Sequence, residues 1–239
     1  MKAQRVAERV WVLRLRPPAR FRHLTNVYLL EEDGGVVAFD SGSAEMGAAV
    51  GRAAAEHGGL RRVVLSHAHP DHRGGASRLE APVLCHPDER ADVEGDGGLH
   101  YWDFGAVRNP LVRRIAPAAV RRMDGGPLAV AGTVSEGDEV AGFRVLHLPG
   151  HAPGLIGLWR ESDRLALVSD AVFLFDPFTA LGLPGQPRIA PPPVRPDEQA
   201  ARASVRRLAE LDAAALWPGH YGPLTGDLGT RLEEAAGGR

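Results

Sequence analysis

Residues 65–74, LSHAHPDHRG, place His67, His69, Asp71 and His72 within six consecutive positions, directly after the apolar Val63-Val64-Leu65. Imidazoles this close repel one another when protonated, so crowding them is poor surface filling. Their neutral lone pairs become useful when they face a divalent cation, and imidazole with carboxylate is a ligand mix suited to Zn²⁺, Fe²⁺ or Mn²⁺. Such an ion polarises a carbonyl group and makes a hydroxide nucleophile available at neutral pH. Three further donors follow, each closing an apolar run: His151 ends FRVLHLPGH, Asp170 ends LALVSD and His220 ends AALWPGH.

A catalytic ion needs donors on a rigid frame, and strand ends with their adjoining turns provide one. VVLSH, FRVLHLPGH, LALVSD and AALWPGH each read as a strand running into a donor. Side by side and pointing the same way, they would gather the four groups at one edge of a sheet. Upstream, RVWVLRL (9–15), NVYLL (26–30) and VVAFD (36–40) read as strands, with EEDGG as a turn before the last, which predicts an antiparallel meander. SAEMGAAVGRAAAEHGG predicts a helix packed on the sheet, with Ser43 as its N-cap and Gly58-Gly59 as its stop. RPDEQARASVRRLAEL predicts a second, with Asp197 and Glu198 in its first turn and Val205 and Leu208 on one face. Residues 95–127 and 171–196 are rich in Gly and Pro and are expected to be irregular, serving as a pocket wall, a lid or an interface.

At 239 residues and 44% hydrophobic content the chain can bury a substantial core, and residues 1–239 are expected to form a single domain. A formal net charge of -2 gives no electrostatic ground for nucleic-acid or anionic-membrane binding. Cys85 is the only cysteine, which excludes an intrachain disulfide. The N-terminal stretch interleaves charges with apolar residues and no later run is long enough for a membrane span, so the expected location is cytoplasmic. Cys85 follows PVL and reads as a buried strand residue. His23, His57, His86, His100 and His147 fall outside the donor pattern and are expected to be structural.

With HAHPDH at 67–72, PGH ending at His151, SD ending at Asp170 and PGH ending at His220, the chain resembles the metallo-β-lactamase-fold hydrolase superfamily, in its glyoxalase II-like or lactonase-like branch. The resemblance implies an α/β fold, an αββα sandwich of two mixed sheets flanked by helices, with its site at one edge of the sheets. It implies two divalent ions, zinc first with iron or manganese as alternatives. His67, His69 and His151 would hold one, Asp71, His72 and His220 the other, and Asp170 would bridge them. Asp40, in VVAFDSG, would be the aspartate that orients ligand histidines, though a turn residue would look the same. Two ions about 3.5 Å apart can share a hydroxide that attacks a carbonyl. Asp71 is then a proton shuttle to the leaving group or a ligand only.

Substrate identity is less legible, because this superfamily includes thioesterases, lactonases, β-lactamases, nucleases and iron-dependent persulfide dioxygenases. The 19 residues after His220 are too few for the helical glutathione-binding domain of typical glyoxalase II, and nothing strongly basic favours a nuclease. Tyr101, Trp102 and Phe104, with Phe173, Phe175 and Phe178, would line an apolar acyl pocket or fill core or interface. Arg113, Arg114, Arg121 and Arg122 could grip an anionic handle or solvate a helix face. Tyr221 could donate to an oxyanion or simply pack. The leading expectation is a dinuclear metal-dependent hydrolase of a small-molecule thioester, lactone or related acyl compound. A mononuclear iron persulfide dioxygenase is the first alternative, and a non-catalytic metal-binding protein the second, though closed structural zinc sites favour cysteine. Sequence leaves the oligomeric state open.

Overall fold

The computed structural model describes residues 2–14, 25–179 and 186–237. Leu15 of the first expected strand, His23, and residues 180–185 of the second irregular region lie outside them. The chain divides into two compact units, Met1–His100 with Ala118–Val134, and Tyr101–Pro117 with Ser135–Arg239. Each contains one mixed sheet with helices packed on it, so the fold class is α/β.

In the first unit β1 (Gln4–Ala7), β2 (Val10–Arg14), β3 (Asn26–Glu32) and β4 (Gly35–Phe39) form the expected antiparallel meander, with β1 as an added edge strand. The β3–β4 turn is the two residues Asp33 and Gly34, at φ 47° and 74°. Positive φ at both central positions is what a tight hairpin with native strand twist requires, and Asp-Gly supplies it. The sheet then turns parallel. α1 (Gly47–Ala55) crosses to β5 (Leu60–Val64), α2 (Pro70–Arg73) leads to β6 (Val83–Cys85), and α3 (Arg90–Val93) and α4 (Pro110–Met123) precede β7 (Val130–Thr133). α1 buries Val50, Ala53 and Ala54 among Leu29, Val36, Ala38, Val63 and Leu65. Because β4 and β5 are parallel neighbours, the residues that follow them, Asp40 and Ser66, emerge at the same edge.

Two expectations are corrected here. Ser43 does not cap α1, which begins at Gly47 after a turn. The backbone before it is engaged elsewhere: Ser41 N and Oγ both donate to His72 O at 2.8 Å, and Ala44 N donates to Met123 O at 2.8 Å. Residues 95–127 are not irregular throughout, since they include the fourteen-residue α4. Pro117 within it and its arginine pairs broke the apolar period.

The second unit orders its strands β13-β12-β11-β10-β9-β8, with β8 (Glu139–Val140), β9 (Phe143–His147), β10 (Ile156–Arg160), β11 (Leu165–Ser169), β12 (Ala215–Pro218) and β13 (Leu224–Thr225). β9 and β11 are both antiparallel to β10, and β12 is parallel to β11, so β9, β11 and β12 run the same way. Their C-terminal ends lead into His151, Asp170 and His220. The expected single row of four donor strands is therefore corrected to three in this sheet and β5 in the other. An apolar run reports burial, not the sheet that buries it, and the α1 crossover had already committed β5 to β4. α5 (Glu198–Ala209) starts as expected, Asp197 Oδ1 accepting from Ala200 N at 2.8 Å, and buries Val205 and Leu208 with Leu146, Leu155 and Leu216. α6 (Leu228–Ala235) adds Leu228 and Leu232 to that core. Among the described residues no helix is long and apolar enough to cross a membrane.

Candidate functional site

Local sequence explains why the HAHPDH segment folds as it does. Pro70 is the first residue of α2, where its fixed φ suits a helix and its missing N–H costs nothing. His69 is the residue that enters the turn, its carbonyl accepting from His72 N and Arg73 N at 2.9 Å each. Asp71 and His72 follow on that turn. Gly74 and Gly75 let it lie directly on neighbouring backbone, because a Cβ at Gly75 would strike Ser41 O and one at Gly74 would strike Met123 O.

Within the first unit His67, His69, Asp71 and His72 are all buried. His67 Nε2 lies 3.1 Å from His69 Nδ1, and the rings of His67 and His72 are 4.3 Å apart by centroid. Ligand atoms bound tetrahedrally about 2.0–2.1 Å from zinc stand about 3.3–3.4 Å from each other, so the His67–His69 spacing suits two ligands of one ion. Asp40 Oδ2 lies 2.8 Å from His72 Nδ1. His72 Nδ1–H donating to that carboxylate leaves Nε2 as the ring's lone-pair donor. His72 Nε2 is 3.9 Å from Asp71 Oδ2.

Within the second unit the same carboxylate oxygen, Asp170 Oδ2, stands 3.5 Å from His151 Nε2 and 3.3 Å from His220 Nε2. Both separations match ligand edges around an ion, and all three residues are buried. His151 Nδ1 lies 2.7 Å from Val194 O. A carbonyl only accepts, so the proton sits on Nδ1 and Nε2 carries the lone pair. The chemistry of both donor sets, neutral imidazole and carboxylate oxygen in buried surroundings, fits a divalent ion.

The expected pocket aromatics fall into two places in this unit. Phe173 and Phe178 join Val107, Ala116, Ala190 and Val194 in an apolar cluster on which Trp102 and Phe104 pack. Phe175 stands edge-on to His220 and Tyr221, at centroid distances of 5.9 and 4.8 Å, and Phe173 lies 5.3 Å from His151. Tyr101 is half-buried in a short 3₁₀ turn, Leu99–Tyr101. Arg113, Arg114, Arg121 and Arg122 are exposed on α4. Of the histidines outside the pattern, His57 stacks on Trp11, His86 accepts from Asp88 N, His100 lies by Asp96, and His147 Nε2 meets Pro153 O.

Two buried groups were not foreseen. Glu89 is fully buried and its Oε2 accepts from Ala68 N at 2.7 Å, between two donor histidines. Its carboxylate also adds to burial in raising the Cys85 thiol to about 12, burial being the larger cause. Arg73 is fully buried and places its guanidinium on Asp124, 3.1 and 2.8 Å, and on the carbonyls of Asp92, Val93 and Gly95. Neither shows in a pattern search, because an Arg or Glu beside a motif usually faces solvent. Backbone strain marks the same neighbourhoods: Asp40, Ser169 and Tyr221 have φ of 66°, 45° and 62°. Left-handed backbone at non-glycine residues costs on the order of 1–3 kcal/mol and tends to gather at functional sites.

Residues 20–220 match the family model described as the metallo-beta-lactamase superfamily. The "Probable metallo-hydrolase YflN" of Bacillus subtilis (strain 168) is 27% identical over 226 residues, covering 85% of this chain and 83% of its own. The metallo-beta-lactamase family protein TTHA1429 from Thermus thermophilus superposes with a TM-score of 0.68 at 24% identity, covering 97% of this chain and 79% of its own. TTHA1623, solved in a di-iron-bound form, superposes with a TM-score of 0.63 at 27% identity, covering 94% of this chain and 97% of its own. With a model match across most of its length, this chain belongs to the metallo-beta-lactamase superfamily.

Proposed function

We propose that the protein is a dinuclear metal-dependent hydrolase of small acyl compounds, thioesters or lactones, with His67, His69, Asp71, His72, His151, Asp170 and His220 as the ion ligands. The observation that carries the reading is the single Asp170 oxygen placed at ligand distance from both His151 Nε2 and His220 Nε2, as a bridging carboxylate would be. The metallo-hydrolase name of the Bacillus relative and the two irons of TTHA1623 support it. When bound, the ions would supply an activated water nucleophile at neutral pH and polarise the substrate carbonyl. The chain's own part is to hold the donors and to exclude water. Asp40 and Val194 O fix the tautomers of His72 and His151. Asp71, on the first turn of α2, is the carboxylate suited to hand a proton to the leaving group. Phe175 and Tyr221, packed beside His220, offer an apolar wall for the acyl group.

Metal analysis with a substrate panel tests this reading. The purified protein should hold about two divalent ions per chain and lose hydrolysis of thioesters or lactones to a strong chelator, because removing the ions removes the source of the nucleophile. One ion per chain under metal-replete conditions with full activity counts against the dinuclear centre. Oxygen uptake with a persulfide, in place of hydrolysis, would assign the iron dioxygenase chemistry instead.

A further inference from the structure

Asp40 and Ser66 leave adjacent parallel strands at the same edge, and the hydrogen bonds between them run on into the donor histidines. Asp40 N continues the ladder by donating to Val64 O at 2.9 Å, and its left-handed φ turns the carboxylate under the end of β5. There Oδ1 accepts from Ser66 N at 2.7 Å, and Oδ2 accepts from Ser66 Oγ at 2.8 Å. Ser66 Oγ also lies 2.9 Å from His67 Nδ1. Both Asp40 and Ser66 are fully buried.

The protons can be counted. A serine hydroxyl has one hydrogen, and a carboxylate oxygen accepts, so the hydrogen of Ser66 Oγ goes to Asp40. Towards His67 the hydroxyl oxygen can then only accept. His67 must carry its proton on Nδ1, and its lone pair is left on Nε2, the atom that lies 3.1 Å from His69 Nδ1. On the other side the same Asp40 Oδ2 takes the proton of His72 Nδ1 at 2.8 Å.

We infer that Ser66 is a positioning residue that relays Asp40 to His67, so that one buried carboxylate sets the tautomer of a ligand histidine for each of the two ions. The inference rests on the metal-centre reading for its consequence, but the tautomer it assigns does not depend on any ion. Ser66 acts through His67 and touches no substrate. In Ser66→Ala the backbone bond to Asp40 Oδ1 persists, so the strand end keeps its anchor while His67 loses the Ser66 hydroxyl. Ser66→Thr keeps the hydroxyl.

The test has two readouts. Long-range ¹⁵N–¹H spectra of the metal-free wild type should show His67 as the Nδ1–H tautomer, and Ser66→Ala should lose that preference. Cobalt(II) titration followed by absorption should show Ser66→Ala binding one of its ions, the one that His67 holds, about 10- to 100-fold less tightly, the usual cost of removing a partner behind a ligand, with Ser66→Thr close to wild type. A purely structural role would lower the melting temperature of Ser66→Ala without moving the tautomer or being rescued by threonine. A wild-type His67 with its proton on Nε2, or unchanged cobalt(II) affinity in a folded Ser66→Ala, overturns the relay. Wild-type protein that takes up no cobalt(II) overturns the metal centre instead, and with it the role of Ser66 in ligation. Should Ser66→Ala not fold, the wild-type tautomer still decides.

Discussion

Asp170 Oδ2 lies 3.3 Å from His220 Nε2, and the two residues reach that spacing because β11 and β12 are parallel neighbours that end side by side. Neither donor is on a flexible tip: Asp170 follows its strand directly, and His220 follows by two residues. Asp170→Asn keeps the shape but puts a weaker donor where two imidazoles converge. Lewis-acid stabilisation is worth several kcal/mol, so loss of an ion should lower kcat by about two orders of magnitude or more. Metal analysis of the variant should show fewer ions per chain than wild type. Full metal content with full activity would remove Asp170 from the centre.

The Arg73–Asp124 pair predicts a large loss of stability with no donor touched. Arg73 is fully buried, and Asp124 supplies both of its oxygens to it. Asp124→Ala would leave an uncompensated buried guanidinium, which costs about 3–5 kcal/mol in comparable cases. Denaturant melts should register that loss. Since Arg73 directly follows His72, the variant should also hold metal less well. An unchanged melt would mean that the carbonyls of Asp92, Val93 and Gly95 alone satisfy Arg73.

The placement of the candidate donors was legible in the sequence because each of them terminates or closely follows an apolar run, and strand ends are where rigid donors belong. The hairpin at Asp33-Gly34 and the start of α5 at Asp197 were legible for a similar reason: their residue types are dictated by local backbone geometry. What escaped is what depends on distant partners. Ser43 looks like a cap until Ser41 and Ala44 are seen bonded to His72 O and Met123 O. Which sheet takes β5, and the burial of Glu89 and Arg73, follow from tertiary pairing that no local pattern encodes. α4 was hidden by Pro117 and by its polar faces.

Cys85 offers a probe of the first unit's integrity. It is fully buried on β6, and burial, helped by Glu89, raises its thiol to about 12. The thiolate is the reactive form, so the native protein should not react with a disulfide reagent at pH 8, whereas the unfolded chain, with a thiol pKa of about 8.5, should. Linkage gives the sign. Because the folded value is raised, the thiol's contribution to stability is fully present below the unfolded pKa and is lost as pH rises from there towards 12. Cys85→Ala should flatten that alkaline decline. Rapid labelling of the native protein would contradict the burial.

The aromatic side chains pack in two different surroundings. Phe175 packs on His220 and Tyr221, whereas Trp102 packs on the cluster that holds Phe173 and Phe178. If Phe175 lines the acyl site, Phe175→Ala should weaken long acyl substrates more than short ones, since each buried methylene is worth about 0.8 kcal/mol. Trp102→Ala should lower the melting temperature, and its cost in unfolding free energy should be below that of a fully buried ring, about 3–5 kcal/mol, because Trp102 is only half-buried. Its ratio of kcat/KM between long and short substrates should stay near wild type. Measuring that ratio and the melt for both variants checks the assignment. A ratio that moves with Trp102 would extend the pocket to residues 101–104, and one that moves with neither would leave the acyl group without an aromatic wall.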